Sequence, residues 1–153
     1  MYFKQQKLSH PRYDSMPYFM LIFVLFAFWP KEKPKTLEDF RWKNRLLLYF
    51  GQEIEKGWNI EDNLAEEINE RKLVYLVFTD SLISNQELDF SKEYIKSLQK
   101  KYAMGAKGPC WVLIGLDGGV KMRKEDVLGW DLVFKTIDAM PMRQSEIRRR
   151  GKL

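Results

Sequence analysis

Apolar and polar positions along this 153-residue chain fall into short blocks with recognisable periods. Arg45-Leu-Leu-Leu-Tyr-Phe50 is an apolar run closed by Gly51, and its length and bracketing predict a buried strand. Between Asn59 and Lys72, Ile60, Leu64 and Ile68 recur every four residues among acids. That period predicts an amphipathic helix capped by Asn59, with Glu61, Asp62, Glu66, Glu67 and Glu70 on its solvated face. Leu73-Val-Tyr-Leu-Val-Phe-Thr79, rich in β-branched and aromatic residues, reads as a second buried strand. A helix starting at Ser91 follows, with Tyr94, Ile95, Leu98 and Tyr102 on one stripe, four lysines facing water, and Gly105 ending it. Cys110-Trp-Val-Leu-Ile114 and Val120-Lys-Met122 flank Asp117-Gly118-Gly119, the composition of a hairpin turn that needs positive φ. Trp130, Val133, Phe134, Ile137 and Met140 mark a last helix, which Pro141 ends.

The resulting order is β-α-β-α-β-β-α. A βαβ unit followed by a ββα unit predicts an α/β fold of thioredoxin-like type, with a four-stranded mixed sheet flanked by helices on both faces. Ahead of it lies a different kind of sequence. Residues 1–15 are polar and basic, and Met16–Trp29 is an uncharged apolar run followed by Pro30-Lys-Glu-Lys-Pro-Lys35. That layout matches the charged and apolar regions of an export signal, the apolar part being too short for an ordinary spanning helix. Ala27 is the only small residue near its end, with Leu25 two positions earlier, so an uncleaved short anchor stands beside a cleaved signal; a start at Met16 would remove the basic flank. Basic residues before the run would hold the N-terminus in the cytoplasm and place the domain outside it, in the cell envelope. The expected organisation is residues 1–30 as signal or membrane anchor, 31–36 as spacer, 37–147 as the thioredoxin-like domain, and 148–153 as a basic tail.

Charge alters the picture only when its position is considered. The net charge is +5, but residues 31–140 hold 18 Lys/Arg against 19 Asp/Glu, and the excess sits at the two ends. Nucleic-acid binding wants its positive charge clustered on a folded face, so no nucleic-acid partner is expected. The Arg148-Arg-Arg-Gly-Lys-Leu153 end has no apolar stripe and reads as a solvated tail, with attachment to an anionic surface as an alternative role. One cysteine, Cys110, and one histidine, His10, cannot make an internal disulfide or a Cys/His zinc site, and His10, the only base for a Ser/His/Asp triad, lies in the basic stretch 1–15, where it reads as a solvated residue. No metal or cofactor is expected.

Three segments carry a family resemblance: Leu37-Glu-Asp-Phe-Arg-Trp-Lys-Asn-Arg-Leu-Leu-Leu48, Leu116-Asp-Gly-Gly-Val-Lys-Met-Arg123 and Ile137-Asp-Ala-Met-Pro-Met-Arg-Gln144. They resemble a peroxiredoxin-like bacterial family of unknown function, also found as a module of secreted sushi-repeat and matrix-associated vertebrate proteins. The resemblance implies a thioredoxin-like fold and an extracytoplasmic setting, and no activity. Pro109 with the strand and hairpin after it is similar to the corresponding part of thioredoxins and peroxiredoxins, where the proline is usually cis and flanks the active site.

Thiol chemistry in this fold needs a low-pKa cysteine between the first strand and the next helix. Here that stretch, Phe50 to Trp58, is cysteine-free and contains Glu53 and Glu55. Cys110 is the one candidate redox thiol, with Lys107 as a nearby cation; its competing reading is a small buried hydrophobe heading a strand. Trp42, Trp58, Trp111 and Trp130 read as core or groove lining. Gln52, Trp58 and Pro109 form the candidate edge for a ligand or partner. The expected function is a non-catalytic binding or interaction domain with an unidentified protein or small-ligand partner and possible membrane association through residues 16–29. The alternative is a single-cysteine redox partner or sensor.

Overall fold

All six residues of the first strand, β1 (Arg45–Phe50), are buried, because this strand has neighbours on both edges and helices on both faces. The computed structural model describes residues 33–52, 62–125 and 127–151. The apolar run 16–29, His10, Glu53, Glu55, Trp58 and Asn59 lie outside the described residues, as does the question of the export signal. Among the described residues, no helix is long and apolar enough to cross a membrane.

β1 pairs in parallel with β2 (Leu73–Phe78) and antiparallel with β4 (Cys110–Ile114), which pairs antiparallel with β5 (Val120–Lys124). This is the mixed four-stranded core of the thioredoxin-like arrangement. A fifth strand, β3 (Leu82–Ser84), adds antiparallel to the free edge of β2, giving the order β3-β2-β1-β4-β5. The sequence pattern predicts four strands, since three residues are too few to show a period of two. Pairing with β2, not local preference, makes β3.

Alternation along β1 splits the core. Leu46, Leu48 and Phe50 join Val74, Leu76, Val112 and Leu98 on one face, under α2 (Lys92–Tyr102). Leu47 and Tyr49 join Trp111, Leu113, Ile68, Val133 and Ile137 on the other, under α1 (Asp62–Glu70) and α3 (Trp130–Asp138). α2 starts where expected: Ser91 Oγ accepts from the Tyr94 N–H at 3.1 Å, an N-cap that satisfies one orphan donor.

Two further differences concern the ends. A one-turn 3-10 helix (Leu37–Phe40) precedes β1, fastened by Asp39, whose carboxylate accepts from the Lys35 and Thr36 N–H groups. Pro141 ends α3 as expected but also opens α4 (Pro141–Arg150), because proline at the first position of a helix gives up only an N–H with no partner there. Arg148, Arg149 and Arg150 are the exposed last turn of this helix. Trp42, expected in the core or a groove, is 60% exposed. Its backbone is held at φ 62, with its N–H donating to Leu116 O at 2.7 Å.

Candidate functional site

The β1–β4 register places Phe50 directly opposite Cys110. Gly51 and Gln52, leaving β1, therefore lie beside Pro109, entering β4, and the two walls of the candidate edge are brought together. Gln52 and Pro109 are both exposed. Gly51 donates its N–H to Phe78 O at 3.2 Å, and a Cβ there would collide with the Tyr49 hydroxyl, so the strand exit has room only for glycine. No peptide bond among the described residues is cis, that before Pro109 included.

Cys110 lies at this edge but faces inward. It is fully buried in the core under α2, with Sγ 3.9 Å from the Tyr102 and Trp111 carbonyl oxygens. Its outer neighbour is Arg123, whose Nε–H donates to Sγ at 3.4 Å. Arg123 is held in place by donating to Met104 O at 3.2 Å and to Glu125 Oε1 at 3.3 Å. The bond to sulfur, assisted by Glu125, raises the Arg123 pKa above the ordinary guanidinium value. The cation beside the thiol is thus Arg123; Lys107 uses its backbone N–H to reach Glu125 Oε2 at 3.3 Å. Pairing in the hairpin carries the signal for this: Arg123 pairs with Val112, two residues from Cys110 and on its face.

The densest charge lies at the opposite end of the sheet. Arg45 and Arg143 are buried and Arg71 nearly so. Arg143 donates through Nε to Asp138 Oδ1 at 3.1 Å, and through its terminal nitrogens to Glu70 O at 3.1 Å and Glu70 Oε1 at 2.6 Å. Arg71 reaches Asp138 Oδ2 at 2.6 Å and Glu67, with its guanidinium 4.6 Å from the Phe134 ring centroid. Arg45 spans the Arg71 carbonyl at 2.9 Å and both Glu146 oxygens at 3.3 and 3.4 Å.

Hydrogen bonding from Arg143 holds the Glu70 carboxyl below the usual range, against the effect of burial. At Asp138 burial disfavours the charge, but bonds from Arg71 and Arg143 outweigh it and its pKa is lowered. Glu67 and Glu70, read from the sequence as solvated, are therefore the acids that fasten α1 to this cluster. Among the described residues, no group of three or more His, Cys, Asp or Glu side chains is placed to hold a metal ion.

The crystal structure of reduced Plasmodium vivax 2-Cys peroxiredoxin is similar at 18% identity over 71% of this chain and 72% of that one, with a TM-score of 0.48. No curated protein matches the chain. Residues 36–146 match the family described as a domain of unknown function (DUF4174), a span that covers the 3-10 helix, the whole sheet, Cys110 and the arginine cluster, and the chain belongs to that family.

Proposed function

We infer that this domain is a binding module with no thiol turnover, using the exposed edge of Gly51, Gln52 and Pro109 to contact a protein or small ligand. The observation that carries the reading is the placement of Cys110: the register sets it at the edge where this fold does its chemistry, yet its sulfur is fully buried. A thiol acts as nucleophile only as an accessible thiolate. The apolar run behind a basic stretch, with the resemblance to modules of secreted proteins, supports a location outside the cytoplasm, either exported or anchored in the cell envelope.

One observation favours the alternative of a single-cysteine redox partner. The Arg123 guanidinium touches Sγ, and a neighbouring cation stabilises thiolate. A photo-reactive amino acid at position 52 of the full chain separates the two. The binding reading expects a discrete photo-adduct that persists in Cys110→Ser. An adduct formed without light and released by reductant, or a photo-adduct lost in Cys110→Ser while the fold persists, would establish the redox reading instead. Cell fractionation with N-terminal sequencing tests the location, and a product found only in the cytoplasm would overturn it.

A further inference from the structure

Away from the Gln52–Pro109 edge, a cavity of about 330 Å³ opens between the 3-10 helix, α2 and the β4–β5 hairpin. Its floor is one end of the hydrophobic core, formed by Phe40, Leu46, Leu98 and Ile114, all buried. Leu46 pairs with Ile114 at the far end of the β1–β4 ladder from Phe50 and Cys110, so the cavity floor is distinct from the edge discussed above. Its size falls in the range of small-molecule sites, which combine an apolar floor with a few placed polar groups.

Those polar groups favour an anion. Arg41 stands on one wall and Lys101, from the last turn of α2, on another. Glu38 is the one carboxylate among the lining residues, and it is engaged by Arg41 at 2.8 Å. Lys101 pairs with no carboxylate among the described residues; its ammonium lies 5.0 Å from the centroid of the Tyr102 ring, which lines the same cavity. The Tyr94 hydroxyl accepts from the Leu37 N–H at 2.8 Å, which leaves its own proton to give to an acceptor.

Arg41 is also held in position. Its Cδ and Nε pass over Gly118, 3.7 Å from where a Cβ would stand, and the next residue is pinned through the Trp42 N–H to Leu116 O. We propose that this cavity binds a small organic carboxylate with an apolar, aromatic body. The body lies on the core floor, and the carboxylate sits at the mouth, facing Lys101 and Arg41 with the Tyr94 hydroxyl as a further donor.

The test uses 2-naphthoate as probe, in equilibrium dialysis against the full chain, with 2-naphthamide as its uncharged counterpart. Saturable one-to-one binding is expected, weakened about tenfold by Lys101→Gln or Arg41→Gln and to a similar degree by replacing the carboxylate with the amide, as loss of one charge-assisted hydrogen bond predicts. Ser97→Trp, which fills the cavity from its exposed rim, is expected to abolish binding. Circular dichroism establishes that each variant is folded before it is scored. No saturable binding by the unaltered chain, equal affinity for the amide, or undiminished binding by folded Ser97→Trp would each overturn the proposal.

Discussion

The two ends of the sheet use their polar residues in opposite ways. At the Phe50–Cys110 end the sulfur is sealed under α2 and a single half-exposed arginine touches it from outside. At the other end, Arg45, Arg71 and Arg143 are drawn inward and meet Glu67, Glu70, Asp138 and Glu146 from three helices. Charge burial of this kind is usually a sign of a site with altered pKa values and hence of function. Here every carboxylate in the cluster is engaged by an arginine, so the groups that look most like chemistry act as a fastening. They join the start of β1, the end of α1 and the α3–α4 elbow. At the Phe50–Cys110 end Gln52 and Pro109 stay exposed above the buried sulfur.

Breaking the fastening is expected to have the largest effect. Arg143→Ala leaves Glu70 and Asp138 with fewer donors in a partly dry setting and is expected to cost about 3 kcal/mol, the low end for opening a buried pair, because the carboxylates themselves still meet water. Thermal or denaturant unfolding measures it. A loss under 1 kcal/mol would show that the cluster is an ordinary surface network. Arg143→Lys keeps the charge but not the forked geometry, and should fall between the variant and the unaltered chain.

Acid should weaken the same end. Glu70 and Asp138 have folded pKa values below their unfolded ones, so their contribution is full above about pH 5 and is lost as pH falls through the unfolded values near 4 and on toward the folded ones. Stability of the unaltered chain is expected to decline over that window, and the decline should be shallower in Arg143→Met. Equal slopes would mean that other carboxylates govern acid unfolding.

The sequence makes one end far more legible than the other. Strands β1, β2 and β4 and three helices follow from period and punctuation, since each buries an apolar face that local spacing reveals; β5, which buries no residue, follows from the Asp-Gly turn before it. The edge follows too: Gly51 and Pro109 bracket two strands whose pairing the fold order dictates. The arginine cluster was hidden because Arg45 reads as the polar margin of an apolar run and Arg143 as part of a basic end. Neither residue has an apolar period to mark it as buried; Arg45 meets Glu146, 101 positions away on α4, and Arg143 meets Glu70, 73 positions away on α1. Two of the resembling segments meet there, Leu37–Leu48 supplying Arg45 and Ile137–Gln144 supplying Asp138 and Arg143, and their joint role emerges only in three dimensions. β3 and the exposed Trp42 were equally invisible, one made by edge pairing and the other by a backbone hydrogen bond.

Smaller effects are expected at the thiol. Cys110→Ala removes one buried sulfur and should cost about 1 kcal/mol, as small core truncations do. Alkylation of Cys110 in the folded chain should be at least about 100-fold slower than in the unfolded chain, because the reagent must wait for local opening. Labelling within tenfold of the unfolded rate would place the sulfur at the surface and favour the redox reading.

The smallest effect on stability is expected at Gln52, and it tests the comparison most directly. Its side chain is exposed just past the end of β1, so Gln52→Ala should change the unfolding free energy by under about 0.5 kcal/mol. If the open end exists for contact, that same substitution must weaken the partner adduct formed at the edge, which a photo-reactive group at position 109 would report. Arg143→Lys supplies the converse: a change in stability with the adduct retained at temperatures where the variant is folded. A Gln52→Ala chain with undiminished crosslinking would move the contact surface away from this edge, whatever the state of the thiol beneath it.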